Sequence, residues 1–411
     1  MVHKSIKRQR GKALWIAFTL LTVAVAALLI TPNAKRLYIF ATLSHPDKIA
    51  NNFMRMNEQT AVHRVAAAAN AVPLPRGENT VELPEWFVSA GEQINTLDYL
   101  AHTGSTGMMI LQHGAISYEQ YWQGMQPNTT HLSFSVAKSF TSALLGIALQ
   151  EGLIANVNDP VTRYVPSLAT SGYADATLAD CLQMSSGTNF DENYADENSD
   201  IFRYMQHFAM NGSTAGFIGE LVSEREPGSY NKYNSMDAQV AAMVLDAALG
   251  EKTIAQYMQE KLWQPIGATH EAQWLIDGDD MELALGGLNV TLADYARFGQ
   301  LFLQGGRWQT RQVVPADWVA LSTTPHAPHL MPGRNNPLSN RPFGYSFLWW
   351  TPIERYGDDF FASGIYNQYI YINPSKQLVI AKTTANPHFQ SDPEGYKEKY
   401  IDLFQTIARA L

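Results

Sequence analysis

With 411 residues, 46% of them hydrophobic and 16% charged, the chain has material for one large domain or two closely packed ones around a substantial core. A net charge of −9, with no Lys/Arg run beyond the N-terminus, argues against a nucleic-acid surface. The lone Cys181 excludes an intrachain disulfide and any zinc site built on cysteines, and reads as a small buried apolar side chain.

Lys4, Lys7, Arg8, Arg10 and Lys12 precede an uncharged apolar run at 13–30, and Lys35-Arg36 follows it. The run is long enough to span a bilayer. The positive excess before it predicts a cytoplasmic N-terminus and a catalytic body outside the cytoplasm, periplasmic or extracellular. Residues 1–34 are therefore expected to be a basic stub and a transmembrane signal-anchor, with cleavage near Ala24-Val-Ala26 or Asn33-Ala34 as the alternative. Residues 35–85 read as a connector with some helix, closing in the turn-rich Pro73-Leu-Pro-Arg-Gly77, and 86–411 as the folded domain.

From Gly107 the pattern changes to two strands around His113-Gly114, a β-hairpin. Residues 133–152 read as a helix that is apolar on most faces (Ala137, Phe140, Ala143, Leu144, Ile147) and so central and buried. The middle, to about 320, is helical with loops, with helical apolar spacing at 239–249 and 291–303. Strands return at 345–350, 369–373 and 378–383, and 394–411 puts Tyr396, Tyr400, Leu403, Phe404, Ile407 and Leu411 on one helical face. Strands at both ends with helices between, and no βαβ alternation, predict an α/β (α+β) fold. Its single antiparallel sheet would be drawn from both chain ends, with helices packed on it and a helical lobe inserted. A cleft between sheet and lobe is where a ligand would bind.

Three segments carry chemistry. Ser135-Val-Ala-Lys138 opens the buried helix, and residues three apart on a helix share a face, so the lysine amine reaches the serine hydroxyl. A serine needs a base to become a nucleophile, and a lysine withdrawn from water is a suitable one. Ser-x-x-Lys is common in proteins, but here Phe134, Val136, Ala137 and Phe140 flank it, and a charged lysine in that setting needs a reason. Tyr233-Asn-Ser235 stands in a turn before another apolar helix, where the phenol could relay a proton and Ser235 support Lys138. Alone, a tyrosine at that place is commonly a packing residue. Phe361-Ala-Ser363-Gly364-Ile365 leads into a strand, and the glycine would let a substrate lie close to it.

Ser-x-x-Lys, then Tyr-x-Ser, then a small residue followed by glycine on a late strand, in that order, resembles the motif set of the serine β-lactamases and penicillin-binding proteins. The segments 178–187 and 286–299 are similar to that superfamily as well. Within it the chain most resembles the 6-aminohexanoate-dimer hydrolases and related β-lactamase-fold esterases, through 133–154, Asp191-Glu-Asn-Tyr194, Tyr233-Asn-Ser235, 286–306 and 364–374. The likeness spans about 105–411 and none of the apolar N-terminal run. It implies a β-lactamase/transpeptidase-like fold and an acyl-enzyme on Ser135, with Lys138 as base and Tyr233 as proton relay. It also implies an oxyanion hole from the Ser135 and Ile365 N–H groups, and supporting or substrate-binding roles for Ser235, Tyr194, Ser363, Gly364 and Tyr366. No cofactor or metal is called for; the expected partners are a small ester or amide substrate and the membrane.

Departures from the pattern bear on the substrate. Ala362 stands where lactam-binding enzymes carry a lysine or histidine that helps hold a carboxylate, and Leu285 stands where a nylon-oligomer hydrolase would carry a polar residue. The rival readings are a D,D-peptidase, penicillin-binding protein or β-lactamase acting on cell-wall or lactam substrates, and an inactive membrane-anchored binding protein. Asp191, Glu192, Asp196 and Glu197 read as a solvated acidic loop, and His326-Ala-Pro-His329 as a surface turn.

Overall fold

The computed structural model describes residues 32–411. The expected membrane anchor at 13–30 lies outside them; among the described residues no helix is long and apolar enough to cross a membrane.

The largest sheet has seven antiparallel strands. In chain order they are β1 (Ser105–Gln112), β2 (Ala115–Tyr121), β3 (Gly344–Ser346), β4 (Trp349–Thr351), β5 (Phe360–Gly364), β6 (Gln368–Asn373) and β7 (Leu378–Thr384). Their order in space is β3-β4-β5-β6-β7-β1-β2. The chain ends meet where β7 pairs with β1, Ile380 opposite Ile110. The β1–β2 turn is His113-Gly114, both left-handed, the geometry that matches the right-handed twist of a tight hairpin.

Four helices matter for the site: α1 (Val136–Gln150), α2 (Ser235–Leu249), α3 (Leu292–Leu303) and α4 (Pro393–Ala410). Thirteen of the 15 residues of α1 are buried, which makes it the central helix its composition predicted. Its Phe140 ring stacks on Phe298 of α3 at 3.7 Å between centroids. Gly299 lets α3 lie close on the sheet, because a Cβ there would come within 2.6 Å of Val379. Tyr400 and Phe404 of α4 pack on Tyr369 of β6 at 5.2 and 5.6 Å.

A second sheet of four short strands runs Val62–Val65, Ala272–Leu275, Leu288–Thr291, Thr130–Leu132. The segment read as a connector thus supplies a strand, Val62 standing opposite Leu275. The last of the four delivers the chain to Ser133, one turn before α1.

One expected strand is broken. Residues 345–350 form β3 and β4, separated by a turn with Leu348 at φ 67°. Two hydroxyls of α1 hold that turn: Ser139 donates to the Leu348 carbonyl and Ser142 to the Phe347 carbonyl, each at 2.8 Å.

Candidate active site

Ser135 sits at the N-terminal end of α1, immediately after Phe134, whose φ of 45° is left-handed. A non-glycine residue in that region costs on the order of 1–3 kcal/mol and persists only where its surroundings impose it. Here they are aromatic. Phe53, from the helix Ile49–Met54, packs its ring 4.8 Å from Phe134 and 5.0 Å from Tyr366, and these two lie 5.2 Å apart. Tyr366 is itself left-handed at φ 59° and follows Ile365. One buried ring thus braces the two left-handed backbone turns beside Ser135 and Ile365.

Lys138 is buried, and its Nζ makes three contacts: Ser135 Oγ at 2.8 Å, Ser235 Oγ at 3.0 Å and the Leu285 carbonyl at 2.5 Å. Three acceptors saturate an ammonium; the neutral amine would keep two donors and turn its lone pair to one hydroxyl. Burial pushes the Lys138 pKa down to about 8, against the opposing pull of the Glu192 carboxylate. Leu285, read as a missing polar group, contributes through its backbone.

Glu192 is a correction. Its neighbours Asp191, Asp196 and Glu197 are exposed as expected, whereas Glu192 is 5% exposed. It accepts from the Ser235 N–H at 2.5 Å, the Ser235 hydroxyl at 2.7 Å and the Tyr194 hydroxyl at 2.8 Å. The reason is the start of α2: its first N–H groups have no helical acceptor and a carboxylate satisfies them. Ser235 therefore donates to Glu192 and accepts from Lys138, linking the two charges. The E192Q variant should move the acid limb of the kcat/KM profile below pH 8, because the carboxylate is what raises the Lys138 pKa. The plateau should also drop about ten-fold with the disturbed hydrogen bonds. An unmoved limb would mean that Lys138 is not the titrating group.

Tyr233 precedes α2 and is buried, its ring stacked on Trp350 at 5.0 Å and set edge-on to Tyr345 at 6.0 Å. Burial, helped by the Glu192 charge, pushes its pKa above the ordinary phenol value, while the nearby Ser135 hydroxyl opposes the shift. At neutral pH it is a neutral phenol, a donor and not a base.

At the end of β5, Ser363, Gly364 and Ile365 line the cleft beside Ser135. The glycine also makes a contact that the sequence did not suggest. A Cβ at Gly364 would stand 2.5 Å from the Ser133 carbonyl and 3.1 Å from the Ser135 nitrogen, so the glycine admits the backbone at Ser133–Ser135. Among the described residues, neither the Ser135 nor the Ile365 N–H has an acceptor. Ala362 is fully buried and offers the cleft no polar group.

Two cavities meet at Ser135. The larger, about 330 Å³, is walled by Tyr233, Asn340, Arg341, Trp350, Glu394 and Lys397. Glu394 pairs with Arg341 at 2.6 Å and with Lys397 at 3.5 Å, and the Lys397 ammonium sits 4.2 Å from the centre of the Trp350 ring. The smaller, about 100 Å³, is apolar. Ser135, Tyr194 and Ile365 line both. The ionic wall, like Phe53, belongs to none of the recognised motifs; nothing in its local sequence marks it.

The residues given site roles from the sequence therefore lie together around Ser135, with Tyr366 contributing as a wall of the apolar cavity. The Beta-lactamase family profile matches residues 96–399. The 6-aminohexanoate-dimer hydrolase of Paenarthrobacter ureafaciens is 25% identical over 319 residues, 76% of this chain and 80% of that protein. Among solved structures, a Bacillus anthracis protein provisionally named a 6-aminohexanoate-dimer hydrolase is similar at a TM-score of 0.78 and 23% identity, over 89% of this chain and 96% of its own. A family VIII carboxylesterase shares the fold at a TM-score of 0.53 and 16% identity, over 74% and 96%. A profile match over most of the chain, on a fold that these hydrolases share and around a serine with a lysine beside it, decides the family: the chain belongs to the Beta-lactamase family and is a serine hydrolase of that fold.

Proposed function

We propose that the protein hydrolyses a small ester or amide through an acyl-enzyme on Ser135, with Lys138 as general base and Tyr233 as proton relay. The observation that carries this reading is the 2.8 Å contact between Lys138 Nζ and Ser135 Oγ in a site that withholds water from the amine. With a pKa of about 8, roughly a tenth of Lys138 is neutral at pH 7, enough to accept the Oγ proton as Oγ attacks the carbonyl. The oxyanion that forms is met by the Ser135 and Ile365 N–H groups. Tyr233 gives its proton to the departing alcohol or amine and is reprotonated from Lys138. Water then attacks the acyl-enzyme, losing its proton to the same base, and Oγ leaves as the hydroxyl with the free acid. Ser235 and Glu192 hold Lys138 in place, and Tyr194, Ser363 and Gly364 shape the cleft. The basic and then apolar N-terminus supports placing this activity at a membrane, outside the cytoplasm.

The full chain should hydrolyse p-nitrophenyl acetate, and Ser135→Ala should lower kcat/KM at least 10³-fold. Turnover that survives the substitution would place the nucleophile elsewhere. No turnover of esters, amides or lactams by the unaltered chain would favour a binding protein with a silent site.

A further inference from the structure

The smaller cavity draws on two parts of the chain. Phe40, Leu43 and Met56 line it, and all three precede the stretch that matches the family profile. The helix Asp200–Ala209 supplies Met205 and Phe208 beside them, with the Phe40 and Phe208 rings edge to face at 5.3 Å. Among the described residues, no charged side chain lines it.

We infer that this chamber, which the N-terminal segment helps to wall, is the acyl subsite, and that the enzyme cleaves esters or amides of short, uncharged, apolar carboxylic acids. The inference rests on the acyl-enzyme reading and deepens it. Direction follows from Tyr233. The relay must face the leaving group, and Tyr233 lines the larger cleft but not the chamber. The leaving alcohol or amine therefore departs past Tyr233 toward Arg341, Glu394 and Lys397. The acyl substituent, on the other side of the carbonyl, has the chamber. Ile365 and Ser135 line both cavities, so a carbonyl held by their N–H groups straddles the junction.

Size and polarity set the acid. At about 100 Å³ the chamber is smaller than the roughly 150 Å³ apolar cavity that takes a benzene ring, so it suits a short alkyl chain. Each methylene moved into it from water favours binding about four-fold. An ammonium at the end of that chain would lose its hydration with no carboxylate on the wall to replace it. A 6-aminohexanoyl group is thus a poor acyl donor here, and the ionic half of a substrate belongs on the leaving side.

The test uses the full chain and p-nitrophenyl esters that differ only in the acyl group: acetyl, butyryl, hexanoyl and 6-aminohexanoyl, with rates corrected for spontaneous hydrolysis. Ser135-dependent kcat/KM is expected to rise at least ten-fold from acetyl to the better of butyryl and hexanoyl. The 6-aminohexanoyl ester should fall at least ten-fold below hexanoyl. Leu43→Trp, which fills the chamber, should lower the hexanoyl-to-acetyl ratio at least ten-fold, and a ratio is insensitive to the fraction of variant that folds. A flat series, equal rates for the charged and uncharged chains, or an unchanged ratio in Leu43→Trp would overturn the acyl subsite while leaving the Ser135 mechanism intact. Loss of Ser135 dependence across the series would instead overturn the mechanism, and the subsite with it.

Discussion

Lys138→Ala is expected to lower kcat/KM by about 10³-fold and to abolish its pH dependence near neutrality. The unaltered enzyme should show activity rising with pH through an apparent pKa of about 8, since only the neutral amine accepts the Ser135 proton. The sign follows from the environment. Burial disfavours the ammonium and lowers the pKa from the ordinary lysine range; Glu192 favours the ammonium and limits the fall. The acid limb therefore lies below the titration of a solvated lysine and above that of a histidine. Lys138→Arg separates the base from mere positive charge. A guanidinium keeps the charge but does not lose a proton in this range, so it should be as inactive as alanine. Initial rates between pH 6 and 10, with circular dichroism to verify folding, decide the matter. An arginine variant with substantial activity would reduce Lys138 to an electrostatic role.

Gly364→Ala should lower kcat about 10²- to 10³-fold with a small change in KM and the fold intact. The new methyl group would stand 2.5 Å from the Ser133 carbonyl and 3.1 Å from the Ser135 nitrogen, and backbone atoms have no rotamer by which to yield. The end of β5 must move away from the start of α1, which spreads the Ser135 and Ile365 N–H groups. A displacement approaching 1 Å in such a constellation is enough for a loss of this size. Because these donors act on the developing oxyanion, the loss belongs in kcat. Steady-state kinetics on a p-nitrophenyl ester would reveal it. A variant that raised only KM would show that Gly364 makes room for substrate and not for the nucleophile's backbone.

Ser135 and Lys138 were legible in the sequence because their relation is local: three residues on one helix face one way whatever surrounds them. The hairpin at His113-Gly114, the buried character of α1 and the apolar face of α4 were legible for the same reason, each being a repeat or turn preference confined to a few residues. Order along the chain, together with the family resemblance, extended that reading to Tyr233, Gly364 and Ile365. Burial is another matter, because it depends on what arrives from elsewhere. Glu192 differs from the exposed Asp191 only in lying under the start of α2, more than forty residues on. The strand at 345–350 breaks because hydroxyls of Ser139 and Ser142, some two hundred residues earlier, reach its carbonyls. Phe53 braces the turn before Ser135 from a segment with no catalytic motif, and Phe40, Leu43 and Met56 wall a chamber that they cannot form alone. Local spacing thus determined the Ser135–Lys138 pair. Only long-range packing decided which charge sits beside it, what holds its backbone under strain and which two cavities open from it.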